Sequence, residues 1–351
     1  MDQKKRTSKN IIWTIISAIL AILTIRVILN QNRDMSLKDL MDVIRSSDIF
    51  FISLSVIFAA LYVYSESVAI SVILKKAGYA RSSLKCLTYS TADVYFSAIT
   101  PSATGGQPAS AFFMRMDGIP AGAVTATLVL NLVMYTVSIV ILGIISIFLR
   151  PGNFEGFGTS SKVLIIIGFC ALSLLTAAFV ILLNNGRLIF DPLKRLINFA
   201  YEKKLIRNKD NKLERLEKIR NDYKTCAGLI SESRRVLLYA FIWNFLQRAS
   251  QLIVPSFVYA ALGGNRMNMV MVFARQCLVT IGYNCLPIPG GMGISDYLMI
   301  DGFTPVMGES MAYSVELISR GITFYICVTI SGLITLAAYL RRKRKNDDRS
   351  L

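Results

Sequence analysis

The chain has 351 residues, 54% of them hydrophobic, with a mean hydropathy of +0.51 and a formal net charge of +17. Apolar runs of about twenty residues recur along it, which excludes a soluble domain and makes it an all-α polytopic membrane protein. Histidine is absent and the six cysteines form no CxxC pair, so imidazole bases, zinc ligands and redox pairs are not expected, and no cofactor or metal is.

Most of the positive charge lies in loops and tails beside the apolar runs. That distribution points to anionic phospholipid headgroups as partners, and not to nucleic acid. Four cations, Lys4, Lys5, Arg6 and Lys9, precede the first span at 11–29 and place the N-terminus in the cytoplasm. The run lacks a small-residue cleavage site, so a retained span is expected. Between 30 and 48, Leu37, Leu40, Met41 and Ile44 recur at helical spacing and predict a short interfacial helix on the outer face. A second span at 49–74 ends at Lys75 and Lys76, an inside marker.

The next apolar stretch, 86–114, is interrupted by Thr100-Pro101-Ser102-Ala103-Thr104-Gly105-Gly106-Gln107-Pro108. Proline removes a backbone donor and glycine removes a side chain, so a continuous helix does not pass through without strain. Broken backbone at membrane depth is tolerated only where protein buries it or a wet cavity receives it. The stretch therefore reads as two half-helices that enter from the cytoplasm and return there. A span at 123–149, a Gly-rich outer loop and a span at 163–183 follow, completing a first half over 10–183.

Residues 184–235 form a basic linker; from Arg187 to Arg235 it holds fourteen Lys and Arg against seven Asp and Glu. Asp191-Pro192 reads as a helix start, with Leu193, Leu196, Ile197, Ala200 and Tyr201 on one face. Leu213, Leu216, Ile219, Tyr223, Cys226 and Ile230 mark a second amphipathic helix. Both suit the membrane interface; a regulatory or partner-binding role is the alternative.

The second half, 236–340, opens with a span at 236–262. A second interrupted segment at 269–308 is broken by Pro287, Pro289, Gly290, Gly291 and Gly293 before Asp296. The last span, 311–340, runs into a basic tail at 341–351 that belongs inside. Six full spans and two re-entrant hairpins, one opening inward and one outward, give an inverted repeat with both termini cytoplasmic.

Ionisable residues inside spans are costly and usually face a bundle interior or cavity. Here they are Glu66, Asp93, Arg248, Arg275, Asp296, Glu316 and Arg320. Glu316 and Arg320 are four apart on one helix with the acid first, the favourable order. Arg320, with Arg248 or Arg275, is a candidate for a lipid phosphate, because a guanidinium binds phosphate in a fork. Glu66, Asp93 or Glu316 would meet a cationic headgroup or relay protons. At the breaks, half-helix N-termini expose amides to an anion, and Thr100, Ser102, Thr104, Gln107, Asn284 and Ser295 add polar groups. Close helix packing by small residues is the plainer explanation of the same glycines.

These motifs resemble the membrane domain of the lysylphosphatidylglycerol synthase/flippase family. The resemblance rests on residues 100–108, on Met116-Asp117-Gly118-Ile119, on Pro289-Gly290-Gly291-Met292-Gly293 with Asp296, and on Arg320. It implies a flippase-like unit that translocates or binds a phospholipid such as aminoacylated phosphatidylglycerol in a bacterial cytoplasmic membrane. Larger members append a soluble domain that moves lysine from tRNA onto phosphatidylglycerol; the chain stops shortly after its last span, so that domain is expected to be missing. Family members often carry arginine where this chain has Asn131, and an acid and arginine near Gln107. A membrane-embedded headgroup transferase using Asp93, Asp296 or Glu316, and a non-transporting scaffold, are the alternative functions. A homo-oligomer is left open.

Overall fold

The computed structural model describes residues 47–100, 103–185, 187–203, 209–284, 286, 288, 291 and 293–347. The expected span at 11–29, the helix expected around Leu37 to Ile44, and Pro101, Ser102, Pro287, Pro289 and Gly290 lie outside the described residues. Among the described residues every regular element is helical.

Helix α1 (Ile49–Lys76) starts on Asp48, whose carboxylate accepts the Phe50 amide at 2.9 Å, and ends in Lys75 and Lys76. Helices α2 (Ser83–Ile99) and α3 (Gly106–Met116) fold back on each other, and α4 (Ala121–Leu149) and α5 (Thr159–Asn184) follow. The linker forms α6 (Arg187–Glu202) and α7 (Lys209–Ser231). Next come α8 (Arg234–Leu252) and α9 (Val254–Ala261), then a second back-folded pair, α10 (Met269–Asn284) and α11 (Ile294–Met307). The chain closes with α12 (Glu309–Arg320), a π-turn (Gly321–Ile326) and α13 (Cys327–Asp347).

Among the described residues, four helical stretches are long and apolar enough to cross a bilayer: α1, α4, Thr159–Ile181 of α5, and Glu309–Lys343 through α12 and α13. The expected span at 236–262 is built as α8 and α9. Pro255 offers no amide to the Gln251 carbonyl, and the next amide, Ser256, turns back to Ile253 O at 3.0 Å.

The back-folded arms have 17, 11, 16 and 14 residues. At a rise of 1.5 Å per residue they are about 16–26 Å long, short of the roughly 30 Å hydrocarbon core. They form two short hairpins that open at opposite ends of the bundle. The α2/α3 hairpin opens where the C-terminus of α1, the α6/α7 arm and the end of α13 meet. There Arg342 on α13 donates to both Asp117 carboxylate oxygens, each at 2.8 Å, and Tyr89 donates to one at 2.6 Å. The α7 helix lies against the start of α4, so close that a Cβ on Gly122 would be 2.4 Å from the Asp222 Cβ. The α10/α11 hairpin opens at the other end, where the Gly158 amide reaches Asp301 and the Asp48 amide reaches Ala261 O, both at 2.9 Å.

The apolar core is divided accordingly. One cluster, including Ile70, Leu74, Tyr89, Met114 and Ile119, surrounds the base of the first hairpin. A second, including Ile139, Leu172, Leu278, Phe303 and Val315, surrounds the other hairpin, and two smaller clusters lie around Phe257 and Leu252. Polar side chains gather between the two larger clusters, at the level where the hairpin tips meet.

Candidate functional site

The first tip is shaped by one hydroxyl and two glycines. Thr100 Oγ1 donates to Phe96 O at 2.6 Å and accepts the Gly105 amide at 2.8 Å, joining the end of α2 to the start of α3. A Cβ on Gly106 would lie 1.8 Å from Asp93 Oδ1 and 2.0 Å from Ser97 Oγ, so only glycine lets α3 approach α2 this closely. Ala103 stands in the left-handed region at φ 53°, a strained state for a residue with a side chain. At the second tip Gly291 has φ 66°, and a Cβ there would be 2.6 Å from the Tyr283 ring.

The tips face each other across a cavity of about 510 Å³. Thr104 and Gln107 reach it from the first hairpin, and Asn284, Gly291 and Ser295 from the second. The walls are α1, α2, α4, α8 and the α12/π segment, which contribute Glu66, Asp93, Arg248 and Arg320. One side is apolar, with Leu132, Leu175, Phe179 and Met299. It borders α5, a helix whose outward face is open, Leu174 being 73% exposed.

Charge in this cavity is arranged in three groups. Glu66, only 3% exposed, accepts Gln247 Nε2 at 3.1 Å. Asp93 accepts Gln107 Nε2 and Ser97 Oγ, each at 3.2 Å, and it lines the same cavity as Glu66. Arg248 is held differently. Its guanidinium carbon lies 3.9 Å from the Tyr135 ring centre and 5.2 Å from that of Tyr62, and Nη1 donates to Gln251 Oε1 at 2.7 Å. Its Nε is buried without a partner, and no carboxylate oxygen of the described residues is within 4.0 Å of it. Arg320 is the third. It donates to Ser295 Oγ and Asp296 Oδ1, while Glu316 stands 4.0 Å from its Nε.

Arg320 is therefore turned toward the hairpin tip, with Asp296 as its nearer acid. The second oxygen of Asp296 accepts the Gly293 amide at 2.8 Å, capping α11. This meets one of the amides that sequence reasoning leaves open to an anion at the second break. Thr100, Gly105 and Gly106 build the first tip without lining the cavity, as Gly293, Asp296 and Glu316 do behind Arg320.

Arg275 is elsewhere. It stands nine residues before the end of α10, about 14 Å along the helix. Its Nε donates to Asn153 Oδ1 at 3.0 Å and its Nη1 to Gly302 O. Gly156 makes room for it, since a Cβ there would be 2.1 Å from Nη2. The residue clamps the α4–α5 loop onto the second hairpin and does not join Arg248 or Arg320, contrary to the sequence expectation.

Sequence reasoning also overlooks Tyr62, Tyr135, Gln247 and Gln251, all of which line the cavity. Their signal is spacing. Tyr62 and Glu66 are four apart, and Gln247, Arg248 and Gln251 share one face of α8. Among the described residues no three His, Cys, Asp or Glu side chains converge as a metal site.

A family model described as the lysylphosphatidylglycerol synthase TM region matches residues 11–331. No curated protein matches the chain.

Proposed function

The chain belongs to the lysylphosphatidylglycerol synthase transmembrane-region family, and from that premise we propose that it carries a phospholipid headgroup between leaflets through the cavity where its two hairpin tips meet. The observation that carries this reading is the amphipathic cavity itself. Its polar side holds two buried guanidiniums and its apolar side borders the open flank of α5. A headgroup with a phosphate fits the first and acyl chains fit the second.

Arg248 is the better phosphate ligand. Arg320 is already neutralised by Asp296 and Glu316, whereas Arg248 is stacked on tyrosines with an open Nε. Stacking fixes the guanidinium plane and leaves its edge for an anion, which an ammonium on a flexible stem does not reproduce. The start of α3 adds the positive end of a helix dipole from the first tip. Thr104, Gln107 and Gly291 line the approach. Arg320, Asp296 and Glu316 shape the second tip and contact the headgroup only by exchanging partners. By the positive-inside rule the Arg342 end faces the cytoplasm of a bacterial cell membrane.

The test is flipping of labelled phosphatidylglycerol and lysylphosphatidylglycerol in proteoliposomes, read by quenching of the outer leaflet. The intact chain should move label that protein-free vesicles retain, and Arg248→Ala should slow it at least about tenfold. Equal rates for the intact chain, Arg248→Ala and Arg320→Ala would count against the reading. Unchanged total lipid composition in cells with and without the gene separates transport from a headgroup transferase.

A further inference from the structure

Glu66 on α1 and Asp93 on α2 line the same stretch of the cavity wall, each receiving a serine hydroxyl and a glutamine amide. Two neighbouring buried carboxyls do not readily ionise together, so a pair of this kind favours holding one proton between them. Two glutamines from two further helices complete the surroundings. Gln247 of α8 and Gln107 of α3 each spend their amide NH₂ on one acid, at 3.1 and 3.2 Å. Each leaves its carbonyl oxygen buried and without a partner. Gln247 is itself only 2% exposed, and both glutamines and both acids line the cavity.

Four helices thus bring two carboxyls and two glutamine amides, their carbonyl oxygens unfilled, into the wall of one cavity. The Ser90 and Ser97 hydroxyls flank it, at 3.3 and 3.2 Å from Glu66 and Asp93. An unsatisfied buried acceptor costs free energy, and a set with surplus acceptors is satisfied by a cation or by a donor-bearing species. The protein's own cations do not fill it. Arg248 faces the acids from α8 but lies on the Tyr135 and Tyr62 rings, and no Lys or Arg nitrogen of the described residues comes within 4.0 Å of either acid. The other titratable groups facing the pair are Tyr62 from α1 and Tyr135 from α4, and from α13 the Thr335 hydroxyl meets Thr91 of α2.

We propose that this oxygen set is a coupling site for one small monovalent cation, a proton or Na⁺, exchanged with the cavity as the lipid crosses. The step balances simply. The shared proton passes to cavity water as hydronium and leaves two carboxylates. Where Na⁺ is the coupled ion, it enters the same oxygens as the proton leaves, and the charge is unchanged. The proposal rests on the transport reading above, and it adds that one leaflet is filled at the expense of an ion gradient.

The full chain in phosphatidylglycerol-containing vesicles provides the test. Labelled phosphatidylglycerol is followed to steady state under a one-unit pH gradient, under a tenfold Na⁺ gradient, and with each collapsed by an ionophore. One gradient should displace the leaflet ratio by up to about tenfold, the limit for one ion per lipid, since one pH unit is about 1.4 kcal/mol. A pH response identifies the proton and a Na⁺ response identifies sodium. Glu66→Gln and Asp93→Asn, which keep shape, should return the ratio to its gradient-free value.

If label moves but neither gradient displaces it, the coupling site is overturned and transport stands. If label does not move at all, the transport reading fails, and infrared difference spectra decide the site alone. A protonated-carboxyl band that responds to pH or Na⁺ and vanishes in Glu66→Gln supports it. An unresponsive spectrum overturns it.

Discussion

Asp296 and Arg320 meet 24 residues apart in sequence, and the same carboxylate accepts, through its other oxygen, the amide of Gly293, the residue that caps α11. One acid therefore fixes both the second hairpin tip and a buried guanidinium. Removing one partner of a buried pair leaves the other uncompensated, which costs about 3–5 kcal/mol. Asp296→Ala should lower the thermal midpoint in detergent by several degrees more than Glu316→Ala, because Glu316 is the more distant acid. The paired replacement Asp296→Asn with Arg320→Met should be milder than Asp296→Ala. A double variant worse than the sum would show that the two residues do not act together.

Arg248 calls for a different pattern. It has aromatic rings in place of a carboxylate partner, so Arg248→Lys loses the planar stack while keeping the charge. Hydrogen bonds to charged groups are worth about 1.5–3 kcal/mol, a factor of roughly 10–150 in affinity. Native mass spectrometry of the purified chain should show anionic lipid adducts reduced about tenfold or more in Arg248→Ala. In Arg248→Lys the loss should be intermediate. Unchanged adducts in both would remove Arg248 from the headgroup site.

The contrast between these two arginines shows where sequence reasoning stops. The hairpins are legible, because proline and glycine inside an apolar run conflict with any continuous helix at Thr100–Pro108 and again before Asp296. Which charges meet is not. Helical periodicity pairs Arg320 with Glu316 because it sees one helix at a time, whereas Asp296 arrives from another. Arg275 looks like a third cavity arginine for the same reason, and only packing of the α4–α5 loop shows Asn153 and Gly302 holding it. Tyr62 and Tyr135 carry no charge to single them out, and only the packing of α8, which lays Arg248 against both rings, gives them a place in the site.

The Asp117 carboxyl, in the turn after α3 and outside the membrane-spanning segments, gives a pH prediction. Burial pushes it up, but hydrogen bonds from Arg342 and Tyr89, with the charges of Arg342 and Arg81, outweigh that and hold it below its ordinary value. A carboxyl depressed in the folded state stabilises fully above its unfolded value of about 3.9, and loses that contribution as pH falls through the folded value. The stability difference between the intact chain and Asp117→Asn should therefore be flat from about pH 5 to 8 and shrink below about pH 4. A difference that disappears near neutral pH would contradict this assignment.

The same contact ties the last helix to the first hairpin. Arg342 grips Asp117 with two parallel bonds at a partly exposed site, worth about 1 kcal/mol. Arg342→Ala should raise amide exchange in the last turns of α13 and in the α3–α4 turn roughly fivefold, since 1 kcal/mol is about that factor. Exchange around Gly291 should stay as it was, because that tip belongs to the other hairpin. A rise spread evenly over the chain would mean global destabilisation and not a released latch.

Glycine substitutions separate tip geometry from general packing. Gly106→Ala places a methyl 1.8 Å from Asp93 Oδ1 and 2.8 Å from the Asp93 carbonyl oxygen, so both a side chain and the backbone must give way. Overpacking of this kind costs about 1–3 kcal/mol, and it would also separate the Gln107 amide from Asp93. Gly228→Ala on α7 is the control, because no atom of the described residues lies within 4 Å of a Cβ there. A helical glycine replaced by alanine without a clash gains about 0.5–1 kcal/mol. Thermal midpoints should therefore move in opposite directions, down for Gly106→Ala and up for Gly228→Ala. Flipping should fall only in Gly106→Ala. If Gly106→Ala keeps both its midpoint and its flipping rate, the close approach of α3 to α2 is not what shapes the cavity.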